Sequence, residues 1–198
     1  MWDERYQQPG YLFGTGPAAF LQREAYRLAP QSRVLAVADG EGRNSVFLAR
    51  QGHDVVAMDS SAVGLEKARR LAAEHDVTIR FLEADIDAWE WTPDAFDAIV
   101  AIFIQFAPPA QRDRIFAGMA RSLRPGGLLL LHGYAPRQVG YGTGGPPHAE
   151  NMYTLPMLRA AFTGFEVLHE ADYDADIQEG TGHAGRSALI DFIVRRAA

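Results

Sequence analysis

The chain contains no cysteine, which excludes a disulfide framework and any thiolate metal site. It also lacks a long apolar run. The longest, Ala98 to Ile104 and Leu128 to Leu131, fall far short of the roughly 20 residues of a membrane-spanning helix and read as buried strands. Nothing at the N-terminus joins a basic start to an apolar stretch as a secretory signal does, so the expected location is cytoplasmic, away from any membrane. Basic clusters are missing too. With 19 Lys and Arg against 25 Asp and Glu, the formal charge of -6 repels a phosphate backbone, which disfavours nucleic acid and favours a small-molecule substrate. No group of His and acidic residues has metal-ligand spacing and no Gly-x-Ser-x-Gly elbow occurs, so neither a bound metal nor a hydrolase serine is expected.

What is present is the makings of one core: 198 residues, 47% hydrophobic, enough for a single domain over 1–198. From Ser32 onward, short aliphatic runs alternate with amphipathic stretches, the pattern of βαβ units around a parallel sheet. Strands are expected at Arg33 to Ala38, Asp54 to Met58, Thr78 to Leu82, Phe96 to Ile102 and Gly127 to His132. Helical spacing marks Asn44 to Gln51 and Ala62 to Glu74 as crossover helices. A further helix begins after Pro108 and Pro109 and runs to about Leu123, where Arg124-Pro125-Gly126-Gly127 stops it. Gly140 to Pro147, with four glycines and two prolines, is expected to be a mobile loop or lid. A short helix, about Leu155 to Ala161, precedes two alternating runs, Glu166 to Tyr173 and Ser187 to Arg195. The linker between them, Asp174 to Arg186, is too short for a crossover helix, so these strands are expected to be antiparallel neighbours.

Three places carry chemistry. Val34-Leu35-Ala36-Val37-Ala38-Asp39-Gly40-Glu41-Gly42-Arg43-Asn44 is a strand entering a glycine-rich turn that opens a helix, where bare backbone admits a ligand and free N–H groups face it. A tight turn without a ligand is the plainer alternative. Asp59 ends the next strand about 20 residues on, the separation of a ribose-binding acid; otherwise it caps the following helix, sharing that role with Ser60 or Ser61. Asp85, in Phe81-Leu82-Glu83-Ala84-Asp85-Ile86, ends the third strand at the same carboxyl edge. There it can accept a hydrogen bond from an adenine amino group while Ile86 covers the ring, or it is a solvated turn residue.

Together these residues resemble the class I S-adenosylmethionine-dependent methyltransferases. Phe96-Asp97-Ala98-Ile99-Val100 is similar to that family's fourth strand, and Leu123-Arg124-Pro125-Gly126-Gly127 to its turn into the fifth. The resemblance implies an α/β, doubly wound, Rossmann-like seven-stranded sheet of order 3-2-1-4-5-7-6, with strand seven antiparallel and helices on both faces. It implies S-adenosylmethionine as cofactor, held by Ala38, Asp39, Gly40, Gly42, Asn44, Asp59, Ser60, Asp85, Ile86 and Ala101. Two positions depart from the family pattern: Ala36 stands where an acid is usual and Ala38 where a glycine is usual, which implies either a weaker hold on the cofactor's amino-acid end or Asp39 as its substitute partner. Trp2-Asp3-Glu4-Arg5-Tyr6 with Tyr11-Leu12-Phe13-Gly14, and Glu179-Gly180-x-Gly182-His183-x-Gly185-Arg186, resemble the thiopurine- and tellurite-resistance-type enzymes. Residues 1–31 then form a cover segment, 32–134 the nucleotide-binding core, and 135–198 the lid loop and hairpin. Trp2, Tyr6 and Phe13 would shield a sulfonium and attract it through their ring faces, or simply staple the segment to the domain.

Methyl transfer needs alignment and exclusion of water more than it needs a base; a thiolate or other soft chalcogen requires none, an amine or hydroxyl benefits from one. Gln105, Phe106, Tyr134, Tyr141, His148, His183 and Arg186 are candidates for the acceptor side. Two other readings remain: a non-catalytic sensor of S-adenosylmethionine or its demethylated product, and a nicotinamide-dependent oxidoreductase, against which Ser45 stands at the third glycine position.

Overall fold

The aliphatic runs around Val34 and Val55 are buried on both faces because they lie in the middle of a sheet covered by helices on each side. The structure, a computed structural model, describes residues 2–198. At its centre β1 (Arg33–Val37) pairs in parallel with β2 (Asp54–Asp59) and β4 (Phe96–Ile102). Outside β2 lies β3 (Arg80–Glu83), and outside β4 lies β5 (Leu123–Tyr134), both parallel. Beyond β5 lies β7 (His183–Arg195), antiparallel to β5 and to the edge strand β6 (Glu166–Glu179). The order is β3-β2-β1-β4-β5-β7-β6, as the family resemblance implies.

Six α-helices accompany the sheet among the described residues: α1 (Trp2–Tyr6), α2 (Ala19–Glu24), α3 (Arg43–Arg50), α4 (Ala62–Glu74), α5 (Pro109–Ser122) and α6 (Leu155–Ala161). One sheet face presents Leu35, Val37, Ile99, Ala101, Leu129 and Leu131 to Ile115, Phe116 and Met119 of α5 and Leu158 of α6. The other presents Val34, Ala98, Val100, Leu128 and Leu130 to Phe20 and Leu21 of α2 and Leu48 of α3. This is the period-2 alternation of strands dividing one apolar run between two cores.

Three expected boundaries shift. The expected third strand, Thr78 to Leu82, lies instead at Arg80–Glu83. Helix α5 stops at Ser122 and β5 begins at once at Leu123, so Arg124 to Gly127 form an irregularity inside a strand: Phe96 pairs with Leu123 and Ala98 with Leu128. Gly126 adopts φ +78° there, a left-handed conformation that costs glycine little. The largest correction concerns the linker Asp174 to Arg186, most of which is strand: β6 and β7 pair all the way from Glu166↔Arg195 to Glu179↔His183. Tyr173, Ala175 and Ile177 pack against Tyr134, Met152 and Leu189, while Asp172 and Asp174 bind Arg137 on the outside. Beyond a 3₁₀ turn (Pro136–Gly140), the glycine-rich loop is irregular and its Gly145 lies against the Tyr134 ring.

Gly118 in α5 is a close-packing position, since a Cβ there would overlap the buried Trp91 indole. Alanine gains about 1 kcal/mol of helix propensity, but forcing a methyl into a filled space costs about 1–3 kcal/mol. Gly118→Ala is therefore expected to lower unfolding free energy by up to about 2 kcal/mol in urea titrations; a gain would mean that Trp91 is free to move.

Candidate functional site

The sheet order reverses beside β1, and the carboxyl ends of β1, β2 and β3 meet there. The turn after β1 is tight: Ala38 has φ +47°, Gly40 +61° and Gly42 +90°. Gly42 is required by packing, because a Cβ would stand 2.6 Å from Ala68 Cβ of α4. Gly40 is required by approach. Its N–H donates to Asp59 Oδ2 at 2.8 Å, and a Cβ would meet the Tyr6 hydroxyl at 2.6 Å.

Asp59 is buried and its other oxygen accepts the Ser61 N–H at 2.8 Å. Ser61, not Asp59 or Ser60, caps α4 by accepting the Gly64 N–H. A carboxylate offers about four lone-pair sites, so two hydroxyl donors can still be accepted by Asp59. Burial raises its pKa, against the pull of these backbone donors. The Asp59 carbonyl accepts the Ala84 N–H at 2.9 Å, which puts the β3 end one residue from Asp85. Asp85 is exposed, and its Oδ1 accepts the Asp87 N–H at 2.9 Å. Ser60 is exposed, while Ile86 and Ala101 are buried in the α5-side core. Asn44, at the start of α3, accepts the Ala18 N–H at 2.9 Å. The residues therefore fit a nucleoside: a bare backbone, a buried diol acceptor and a second acid share one edge.

Asp39 is held by Ser45, whose hydroxyl and N–H both donate to it. Burial first, and then the Asp59 charge, push its carboxyl up to about 7. The unfolded chain ionises near pH 3.9, so between about pH 4 and pH 7 the folded state binds the extra proton and stability falls as pH rises. Thermal melts of ligand-free protein at pH 5 and pH 8 are expected to differ less for Asp39→Asn than for the wild type. Equal differences would show Asp39 already ionised at pH 5.

The N-terminal segment lies over this edge. Tyr6 is buried, stacks on Trp2 with centroids 5.5 Å apart and meets Phe13 edge-on at 6.5 Å. Lys67 of α4 donates to the Gln8 and Gly10 carbonyls and pairs with Glu41; Glu41 in turn accepts the Leu12 N–H at 2.7 Å. The turn between β6 and β7 grips the same segment, with Thr181 and Gly182 N–H groups on the Leu12 carbonyl. The Tyr6 hydroxyl occupies the side of Gly40 where a Cβ would stand.

Of the acceptor-side candidates, Tyr134 and His183 come together with Phe13. The Tyr134 hydroxyl and His183 Nδ1 share a hydrogen bond of 2.6 Å, and the imidazole is sandwiched between Phe13 at 4.4 Å and Phe103 at 4.2 Å. Burial and the Arg43 charge lower the His183 pKa to about 3, so it is neutral and a weak base. Gln105 clamps the Tyr134 backbone, accepting its N–H and donating to its carbonyl. Phe106 packs on the α5-side core. Tyr141 and Arg186 bind Asp174 on the exposed face of the hairpin, and His148 lies in an exposed loop 3.8 Å from Glu150; these three are not brought to the Tyr134–His183 pair.

Four residues escaped the sequence reading. Arg43 of α3 is buried against Glu179 at 2.8 Å. Phe103, just past β4, takes φ +56°. His132 of β5 and Asp191 of β7 are register partners with Nδ1 and Oδ1 2.7 Å apart. An acid inside the aliphatic run Ala188-Leu189-Ile190-Asp191-Phe192-Ile193-Val194 is a signal that could have found the last pair. Among the described residues no group of three or more His, Asp and Glu is placed to hold a metal, and no helix is long and apolar enough to cross a membrane.

Residues 34–127 match the methyltransferase domain family. That match covers 94 of the 198 residues, and the sheet order is that of the class I S-adenosylmethionine-dependent methyltransferase fold. The chain superposes on TehB from Haemophilus influenzae with a TM-score of 0.73 at 17% identity, over 98% of this chain and 65% of that one. A protein from the conversion of a disulfide bond into a thioacetal group during echinomycin biosynthesis superposes with a TM-score of 0.78 at 18% identity, over 99% and 90%. In sequence, the demethylmenaquinone methyltransferase of Thermus thermophilus is 32% identical over 141 residues, 69% of this chain and 64% of that protein. The chain spans between 37% and 64% of the length of the curated relatives it matches first.

Proposed function

We propose that this chain transfers a methyl group from S-adenosylmethionine to a small-molecule acceptor. The observation that carries the reading is the buried Asp59 carboxylate, tied to the Gly40 N–H and still able to accept from a ribose diol. Asp85 at the neighbouring strand end would accept from the adenine amino group, with Ile86 beneath the ring. Asp39 and Asn44 at the start of α3 would hold the amino-acid end. The cofactor supplies a carbon already activated by a sulfonium. The chain's own task is to position an acceptor and keep out water. Trp2, Tyr6 and Phe13 form a cover of aromatic faces suited to a cation, and Phe103, Tyr134 and His183 wall the acceptor side. The small acceptor follows from the charge of -6, and the tellurite-resistance likeness suggests a thiol or other soft chalcogen among the acceptors to try.

The test is incubation with isotope-labelled S-adenosylmethionine and a panel of thiols, selenite, tellurite, amines and phenols. Labelled product is expected with at least one class. A second reading, a non-catalytic sensor, draws on the Tyr6 hydroxyl lying against Gly40, which sets the cover segment against the β1 turn. Tight cofactor binding with no product across the panel would favour it.

A further inference from the structure

Three histidines, His132, His148 and His183, differ in what stands behind each ring. His183 is held neutral and gives its Nδ1 to Tyr134. His148 is exposed on its loop. His132 alone has a buried carboxylate: Asp191 Oδ1 lies 2.7 Å from its Nδ1, with both side chains almost wholly buried. Burial pushes the Asp191 carboxyl up, but the hydrogen bond from His132 and the charges of His132 and Arg23 outweigh it and leave the pKa lowered. Arg23 of α2 lies 2.6 Å from Asp191 Oδ2, Tyr173 of β6 donates to Oδ1 at 3.2 Å, and His169 Nε2 stands 3.6 Å from Oδ2. The anion is therefore fixed. So is the ring, stacked on Phe20 at 4.8 Å and met edge-on by Phe103 at 4.9 Å. Phe103 is the residue that also covers His183, and its N–H donates to the His132 carbonyl at 2.9 Å. Among the described residues His132 Nε2 has no hydrogen-bond partner.

An imidazole with one nitrogen fixed by a carboxylate and the other free, at the carboxyl end of β5 beside the residue that follows β4, is arranged as a general base. From the Asp191–His132 geometry we infer that His132 Nε2 removes the proton of a protic acceptor, a phenol, catechol or amine, so that the acceptor class is one needing deprotonation and not a preformed thiolate. This rests on the methyl-transfer reading above. In the step, His132 Nε2 takes the acceptor's proton; the acceptor's lone pair forms the new bond to the methyl carbon as the carbon–sulfur bond breaks, its electron pair staying on sulfur as a neutral thioether. The imidazolium, stabilised by Asp191, then returns its proton to solvent.

The test has two arms on the full chain. In the first, nitrogen NMR of histidine-labelled protein saturated with S-adenosylhomocysteine reads the tautomer of His132 at pH 7.5, assigned by its loss in His132→Asn. A neutral ring protonated on Nδ1 alone is expected; a doubly protonated ring would be a structural ion pair and overturns the proposal, whatever the rates show. In the second arm, catechol and 4-nitrothiophenol are the probes. His132→Asn, whose amide can still donate to Asp191, is expected to slow catechol methylation about 100-fold and thiol methylation less than fivefold. Equal losses on both probes, or none on catechol, overturn it. If neither probe is methylated, the tautomer decides. Calorimetry with S-adenosylmethionine separates the two readings: absence of binding removes methyl transfer itself, whereas binding with an imidazolium at position 132 removes only the base.

Discussion

Asp59→Ala is expected to weaken S-adenosylmethionine binding by at least about 100-fold in calorimetry, the largest effect on binding of any single change at the crevice. Hydrogen bonds to a charged group contribute about 1.5–3 kcal/mol each, and this carboxylate would supply two to the ribose while it holds the Gly40 and Ser61 N–H groups in place. Alanine removes the acceptors and frees the turn at once. Asp59→Asn is the milder change, because its carboxamide keeps the shape and one acceptor. Its NH2 faces either the Gly40 or the Ser61 N–H donor to donor, so unfolding free energy is expected to fall by about 1–3 kcal/mol, the cost of one buried unpaired donor. Binding is expected to fall by tenfold or more. Should Asp59→Ala bind within threefold of wild type, the nucleoside does not use this edge.

The β1 turn and Asp59 were legible in the sequence because glycines in a strand-to-helix turn and an acid at the next strand end are local signals, each needing only a few neighbouring residues. The sheet order came from resemblance, and the closing hairpin came independently from the short linker between two alternating runs. That linker itself was misread. Asp174, Asp176 and the glycines after them are poor strand formers, and only the pairing with β7 makes the outward carboxylates acceptable by setting Asp172 and Asp174 against Arg137. The Arg124 to Gly127 turn was located, but its place inside a continuous β5 depends on β4 pairing on both sides of it. What stayed hidden was long-range: Arg43 meets Glu179 across 136 positions of sequence, and His132 meets Asp191 across 59. Neither residue type in isolation announces its partner. The sequence could place residues defined by their own strand ends, and it could not place those defined by a strand far along the chain.

The Arg43–Glu179 pair is where such a long-range contact has its greatest consequence for stability. Both side chains are about 8% exposed and 2.8 Å apart; Arg43 also donates to the Phe13 carbonyl, and Glu179 accepts the Ala19 N–H. One ion pair thus joins α3, the cover segment, α2 and the end of β6. Removing one partner strands a charge in a dry place, which costs about 3–5 kcal/mol, whereas replacing both with apolar groups of similar size is often neutral. Arg43→Met is therefore expected to lose about 3–5 kcal/mol of unfolding free energy in urea, and the Arg43→Met/Glu179→Met double variant to recover most of that loss. Recovery of stability need not bring recovery of closure, because the double variant still lacks the donor to Phe13 and the acceptor for Ala19. Protease sensitivity of residues 7–16 is expected to rise in both variants by a similar factor. If the double variant is instead as unstable as the sum of the two singles, the charges are not coupled and the cover segment is held mainly by Lys67 and Glu41.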